Sequence, residues 1–249
     1  LLARQAEIYW SDNARVYSDP PEKVFDEREE EWLLPRFQKL WESAEAQLNF
    51  VSPYFIPGES GVALMRQLRE ESVAINVLTN SLAATDVPMV HSGYINYRQR
   101  LLEKGVKIYE LRPETMVEVR LGKLGQKLNP GKIPKLGVQN KSLHTKIFTV
   151  DNDWSFIGSF NLDPRSAKLN TEMGLLVEDA IITARLKEHF EQKSASNRSF
   201  ELYLEGGELR WLDINEAGEK RIWKDEPATG IFTRMMVKFL SYLPLESQL

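Results

Sequence analysis

At 249 residues and 42% apolar content, the chain has material for one large α/β domain or two small ones. A net charge of -4 argues against a nucleic-acid partner, and zero cysteines exclude disulfides and thiolate metal ligation. The three histidines, His91, His144 and His189, stand far apart without metal-ligand spacing, so neither a metal nor a cofactor is expected.

In chain order, residues 1–22 are polar and turn-rich, with Asp19-Pro20-Pro21 as a stop signal. The chain opens on Leu1 rather than Met and is expected to be part of a longer protein. From Asp26 to about Leu48 an acidic first turn precedes a helical pattern, with Pro35 as a candidate break. Strands and helices then alternate through "LNFVSPYF", "GVALMRQLREE", "VAINVLT", "VPMVHSGYINYRQRLLEK" and "VKIYEL". Short apolar strands between helices predict an α/β domain, a sheet covered by helices on its faces.

The rhythm breaks at Arg112-Pro113. Between Val119 and Lys146 stand Arg120, Lys123, Lys127, Lys132, Lys135, Lys141 and Lys146 with no acid, while glycines and prolines keep the stretch irregular. A basic loop in an acidic protein, running straight into a histidine, points to an anionic ligand; an ordinary solvated loop is the alternative.

That histidine opens "HTKIFTVD", read as a strand. Alternation puts His144, Lys146, Phe148 and Val150 on one face. An imidazole beside an ammonium has no use in a core, whereas a phosphate can use both. After a turn at "DND", "WSFIGS" reads as the hairpin partner, "TEMGLLVE" as a further strand and "AIITARLKEHFEQKSA" as an amphipathic helix. "FELYLEGGELRWLD" and "GEKRIWKDEP" predict a small C-terminal β-meander turning at Gly206-Gly207. "GIFTRMMVKFLSYLPL" reads as a terminal helix packed on the domain, with an interfacial membrane helix as the alternative. No run reaches the roughly 18 apolar residues of a membrane span.

The full pattern is His144-x-Lys146-x4-Asp151-x6-Gly158-Ser159-x-Asn161. Its first three positions alone arise by accident in only about one chain in a hundred. It resembles the HKD motif of the phospholipase D superfamily, in the C-terminal copy. "FVSPYFIPGESGV", "TNSLAATDVPMVHSGYINYRQRLLEKGVKIYEL" and "SLHTK" extend the resemblance to bacterial cardiolipin synthases. Family members carry two HKD motifs in a pseudo-twofold arrangement. Here His91 and His189 lack the following pattern, so one motif is present. The resemblance therefore implies a linker over 1–25 from a missing N-terminal half, and a phospholipase D-like half over 26–249 with its motif at 144–161. Its mixed β-sheet would be flanked by helices.

The resemblance also implies the chemistry. One histidine attacks a phosphodiester to form a phosphohistidine, and a second protonates the leaving alkoxide and then activates the acceptor hydroxyl. His144 takes one of those two roles, and Lys146 and Asn161 hold the non-bridging oxygens. Gly158 and Ser159 shape the turn that presents Asn161. Asp151 belongs to the motif, but it falls seven residues after His144, so strand parity points it away and predicts a turn-fixing role. In the family a carboxylate on the strand after the Gly-Ser-x-Asn turn bonds the motif histidine. Glu172 is the candidate here, and an exposed strand-end acid is the alternative reading. Lys141 and His91 complete the candidate substrate-binding set, though His91, beside Tyr94, Tyr97 and Arg98, also reads as a satisfied structural histidine.

The expected partners are a phospholipid, the missing half or a second copy, and an anionic membrane surface. Location at the bacterial cytoplasmic membrane follows from the same resemblance. A nuclease-type phosphodiesterase of the superfamily and a non-catalytic lipid-docking half are the competing functions.

Neutralising Lys123, Lys127, Lys132 and Lys135 together is expected to weaken binding to anionic vesicles and flatten its salt dependence. Vesicle sedimentation across a salt series reads this, and unchanged binding at low salt would reduce the segment to a solvated loop.

Overall fold

A computed structural model describes residues 9–25, 28–113, 142–215 and 217–244. The basic segment through Lys141 lies outside them. Among the described residues one mixed sheet is formed by β1 (Ala14–Ser18), β2 (Gln47–Val51), β3 (Ala74–Asn80), β4 (Lys107–Leu111), β5 (Ile147–Val150), β6 (Trp154–Gly158), β7 (Met173–Glu178), β8 (Ser199–Glu205), β9 (Glu208–Ile214) and β10 (Lys220–Trp223). Their spatial order is β1-β7-β6-β5-β2-β3-β4-β8-β9-β10. β2, β3 and β4 run parallel, and every other neighbouring pair is antiparallel.

Helices cover both faces. On one lie α1 (Leu33–Glu42), α2 (Gly58–Glu70) and α3 (Pro88–Glu103); on the other lies α5 (Ala180–Ser194). A short α4 (Pro164–Lys168) follows the motif, and α6 (Ile231–Leu240) closes the described chain. The central strand β3 is buried on both faces, its apolar residues interrupted by Asn76, Thr79 and Asn80. On α1, Leu33, Phe37 and Trp41 recur every four residues and form one buried stripe. Phe37 reaches three rings beneath the motif: Phe148 at 5.0 Å, Phe156 at 4.6 Å and Phe160 at 5.3 Å between centroids. Phe148 and Phe156 face each other across the β5–β6 hairpin, stacked at 5.1 Å. That aromatic layer fixes the hairpin from which the motif projects.

Three expectations change. The helix read from Asp26 begins at Leu33; Glu29–Glu31 form a single 3-10 turn, and Pro35 sits in the first turn of α1, where its missing N–H costs nothing. Ala14–Ser18, read as linker, is the edge strand, paired with β7 in the register Val16↔Leu175. The C-terminal meander forms as β8-β9-β10, and β8 pairs with β4, so it extends the main sheet. Finally, strand β5 starts at Ile147, so His144 and Lys146 stand in its lead-in rather than in the ladder. The Gly206-Gly207 turn does hold, with both residues at positive φ.

Asp151 ends β5 at φ 50, a left-handed conformation that Asp and Asn tolerate. Its carboxylate accepts from the backbone N–H groups of Glu45 at 2.9 Å, Ala46 at 2.7 Å and Gln47 at 2.8 Å. Burial pushes this carboxyl up, but the three donors and Lys187 outweigh it and hold the pKa below the usual value. Asp151 thus ties the start of β2 to the end of β5, as strand parity predicts. Asp151→Asn, which keeps the left-handed tolerance and removes the charge, is expected to cost about 1–2 kcal/mol of stability. Chemical denaturation reads this; a variant as stable as the parent would show that the three bonds contribute nothing.

Candidate active site

The motif side chains gather where the parallel strands β2 and β3 end and the lead into β5 begins. Ligand sites of open α/β sheets lie at the carboxyl ends of strands. Segment 52–56 leaves β2 and is stitched to the chain after the motif. Ile56 N–H donates to the Leu162 carbonyl at 2.6 Å, and Leu162 N–H donates to Ser52 Oγ at 3.2 Å.

Lys146 is buried, while His144 two residues earlier is exposed. The Lys146 ammonium donates to the His144 carbonyl at 2.8 Å and lies 3.4 Å from His144 Nδ1. Burial pushes the ammonium pKa below lysine's usual value, while Glu172, Asp86 and Asp163 push it back up. With three acids around it, Lys146 alone offers a phosphate little net attraction.

Asn161 is buried, and its side-chain amide bonds no described residue; Oδ1 has no partner. Its backbone N–H is held by Ser166 Oγ at 3.3 Å. An amide fixed at the backbone and unbonded at the tip can serve a ligand.

Gly158 and Gly174 face each other across β6 and β7. A Cβ on Gly158 would meet the Met173 carbonyl at 2.4 Å and the Phe156 ring at 2.5 Å, so the close approach needs glycine. The next residue, Ser159, donates its N–H to the Met173 carbonyl at 2.9 Å and accepts at Oγ from Met173 N–H at 3.0 Å.

Glu172 is buried at the start of β7. The resemblance expects it on the motif histidine, but its side chain bonds other groups. Its carboxylate accepts from Ser159 Oγ, from Ser166 Oγ at 2.8 Å and from Asn170 Nδ2 at 3.2 Å. These donors converge from both flanks of the motif turn and satisfy the acid, while His144 turns outward. The alternative of an exposed strand-end acid is contradicted by the burial.

Sequence reasoning missed what holds Glu172. Asp19 exchanges backbone bonds with it: Asp19 N–H donates to the Glu172 carbonyl at 2.8 Å, and Glu172 N–H donates to Asp19 Oδ2 at 3.0 Å. Lys23, inaccessible to solvent, pairs with Asp19 at 2.8 Å and donates to the carbonyls of Ser166 at 2.9 Å and Asn170 at 3.0 Å. Nothing in "SDPPEKV" signals this, because a Lys in a Pro-rich stretch reads as solvated. Asp163-Pro164, by contrast, is a legible helix start, and Asp163 Oδ1 caps α4 by accepting from Ser166 N–H at 2.6 Å. Asp86 accepts from the Tyr54 hydroxyl at 3.2 Å; burial and the charge of Asp86 push that phenol up to about 12.

His91 belongs to a different cluster. Its ring is buried, with Nε2 3.4 Å from Glu226 and Tyr94 packed edge-on, which leaves little of it to line a channel. Ligand atoms of His91, Glu110 and Glu226 lie within 4.8 Å of one another. Arg98 already supplies the countercharge there, 3.3 Å from Glu110 and 2.6 Å from Glu226. Burial raises both carboxyls; it prevails at Glu110, whereas Arg98 and His91 bring Glu226 below its usual value. Lys141, the remaining candidate, lies outside the described residues.

With this geometry in place, comparison with known proteins is informative. Residues 38–194 match the family described as "Cardiolipin synthase, PLD-like domain". Cardiolipin synthase C of Escherichia coli K12 is 38% identical over 241 residues, covering 96% of this chain and 48% of that protein. Cardiolipin synthase B of Salmonella typhi is 25% identical, covering 75% of this chain and 35% of that protein. The chain thus spans half or less of the length of these relatives. Among solved structures, the phospholipase D family member Nuc from Salmonella typhimurium superposes with a TM-score of 0.52 at 13% identity. It covers 77% of this chain and 98% of its own, a likeness of fold.

Asp163 yields a pH prediction. Burial raises its carboxyl pKa to about 6, against the Ser166 hydrogen bonds. A carboxyl raised on folding binds its proton more tightly in the native state. Its contribution to stability is full below about pH 4 and is lost as pH rises through about 6. Asp163→Asn keeps an acceptor for the Ser166 N–H and is expected to flatten that loss, read as Tm between pH 4 and 7. An unchanged slope would show that Asp163 ionises normally.

Proposed function

The chain belongs to the cardiolipin synthase PLD-like domain family, and from that premise we propose that it supplies one of two half-sites of a phosphatidyltransferase. The observation that carries the reading is an exposed imidazole beside a buried ammonium, with the buried, unbonded amide of Asn161 on the far side of the same hairpin. For Nε2 to attack, the ring proton must sit on Nδ1, so the Lys146 ammonium, 3.4 Å from Nδ1 here, is read as turning to the phosphate when substrate binds. In the forward step Nε2 attacks phosphorus, the bond to the leaving alcohol breaks, and a histidine of the other half gives that alkoxide its proton. In the second step that histidine takes the proton of an acceptor hydroxyl, whose oxygen displaces His144. With His144 as acid–base instead, the same geometry runs in reverse. Lys146 and the Asn161 amide bind the non-bridging oxygens in either case.

Displacement at phosphorus needs its attacking group and proton donor on opposite sides, roughly in line. His144 and Lys146 approach together, so the second group must come from elsewhere. An apolar row beside the motif supports such a partner. Val16, Leu175 and Ile157 are aligned across β1, β7 and β6, and all three are exposed, as is Met173. A second half, or a second copy, would cover this row. The substrate class is a phospholipid. Phosphatidylglycerol as both donor and acceptor would give cardiolipin, and the work would be done at the surface of the bacterial cytoplasmic membrane. Among the described residues no helix is long and apolar enough to cross a membrane, so contact through this part is peripheral.

In the longer parent protein, His144→Ala is expected to lower turnover of labelled phosphatidylglycerol by about a thousandfold or more. The 249-residue chain as a monomer is expected to be close to inactive. Turnover measured against protein concentration, with mass from light scattering, tests both. Full activity by a strict monomer would overturn the half-site reading, and products from single-stranded DNA rather than lipid would favour a nuclease.

A further inference from the structure

Helix α6 turns most of its apolar side chains away from the protein. Phe232 is 89% exposed, and Ile231, Met235, Met236 and Phe239 are exposed as well. Tyr242 and Leu243 continue this face beyond the helix end. Val237 is the buried residue of α6, which lies against α3. The end of the helix is pinned there, where Asn96 Nδ2 donates to the Ser241 carbonyl at 3.2 Å. At 100° per residue, the five exposed apolar residues of α6 fill an arc of about 140° centred opposite Val237. Arg234 and Lys238 run along one edge of that arc, and no acid occurs between Ile231 and Pro244.

Such a face, left to water, is an unusual feature of a soluble domain. Its chemistry selects the occupant. At 1.5 Å per residue the helix is about 15 Å long, half of the roughly 30 Å hydrocarbon core, so it can only lie in the plane of a bilayer. Aromatic rings and methionines suit the acyl boundary, and Arg234 and Lys238 suit anionic headgroups, with the acid Asp225 4.0 Å from Arg234. Lys224, Arg234 and Lys238 line a cavity of about 680 Å³ between α6, α3 and the β8–β9 hairpin, together with the acids Glu208, Asp225 and Glu226.

We propose that α6 seats the protein on an anionic phospholipid surface. Phe232, Met235 and Phe239 enter the acyl boundary, while Arg234 and Lys238 stay at the level of the headgroup phosphates. The choice of a lipid surface rests on the phospholipid-substrate reading above.

The cysteine-free chain allows a direct test. Phe232→Cys, Met235→Cys and Phe239→Cys, with Glu188→Cys on α5 as control, would each carry an environment-sensitive fluorophore. Vesicles containing phosphatidylglycerol are expected to blue-shift the three α6 labels but not the control, with a smaller effect on purely zwitterionic vesicles and in high salt. Phe232→Ser with Phe239→Ser is expected to weaken vesicle binding about tenfold or more at unchanged Tm, because both side chains are exposed. Absence of the shift, or an equal shift at position 188, would overturn the proposal. A shift without vesicles that grows with protein concentration would overturn it too, assigning the face to a second copy. A normal vesicle shift in a chain whose longer parent transfers no phosphatidyl group would support α6 and overturn the substrate reading instead.

Discussion

A carboxylate buried at residue 172 is the constraint on which the site depends. Buried charge is tolerated only when donors satisfy it, and Glu172 takes three, from Ser159, Ser166 and Asn170. Those three groups lie on the two sides of the turn that also presents Asn161. The carboxylate therefore sets the shape of the turn as well as its charge. The Asp19–Lys23 pair holds the assembly from beneath, with both side chains inaccessible to solvent. Removing one member of such a pair leaves an uncompensated buried charge and costs about 3–5 kcal/mol. The reach of the pair matters more than its strength. Four hydrogen bonds run from Asp19 and Lys23 to Glu172, Ser166 and Asn170.

This arrangement explains what could be read from the sequence. His144, Lys146, Gly158, Ser159 and Asn161 sit at fixed spacings because one hairpin, β5 to β6, carries them all, and local geometry leaves local patterns. The glycine is legible for the same reason: the Phe156 ring and the Met173 carbonyl leave no room for a Cβ. Alternating strands and helices likewise showed the α/β class.

What stayed hidden is held at long range. Lys23 lies more than 140 positions from the carbonyls it bonds, and no periodicity encodes that contact. β1 was unreadable because an edge strand exposed along nearly its whole length, preceding a Pro-Pro turn, carries no clear apolar alternation. Glu172 was assigned to His144 because the resemblance places it there, but the hydroxyls of Ser159 and Ser166 reach its carboxylate instead. The start of β5 was misplaced for a related reason. Alternation of side chains continues smoothly through 144–150, yet the lead-in has a single cross-strand bond, from Gly158 N–H to the Lys146 carbonyl at 3.2 Å.

The second buried cluster carries the argument across the molecule. Glu110 at the end of β4 accepts from the Tyr94 hydroxyl at 3.0 Å, from Arg98 at 3.3 Å and from Trp211 Nε1 at 2.9 Å. Arg98 also holds Glu226, and His91 lies beside it. One guanidinium thus joins the sheet, α3 and the segment just before α6. Since the two carboxylates share a single arginine, neither segment can shift without stranding a charge in the interior. Its consequence is a polar connection from the sheet and α3 to Glu226, five residues before α6, whose own surface is little buried. The same α3 begins just after Asp86, one of the acids that act on Lys146. On the two proposals above, the same helix thus links the apolar face of α6 to the loop that carries Asp86 beside Lys146.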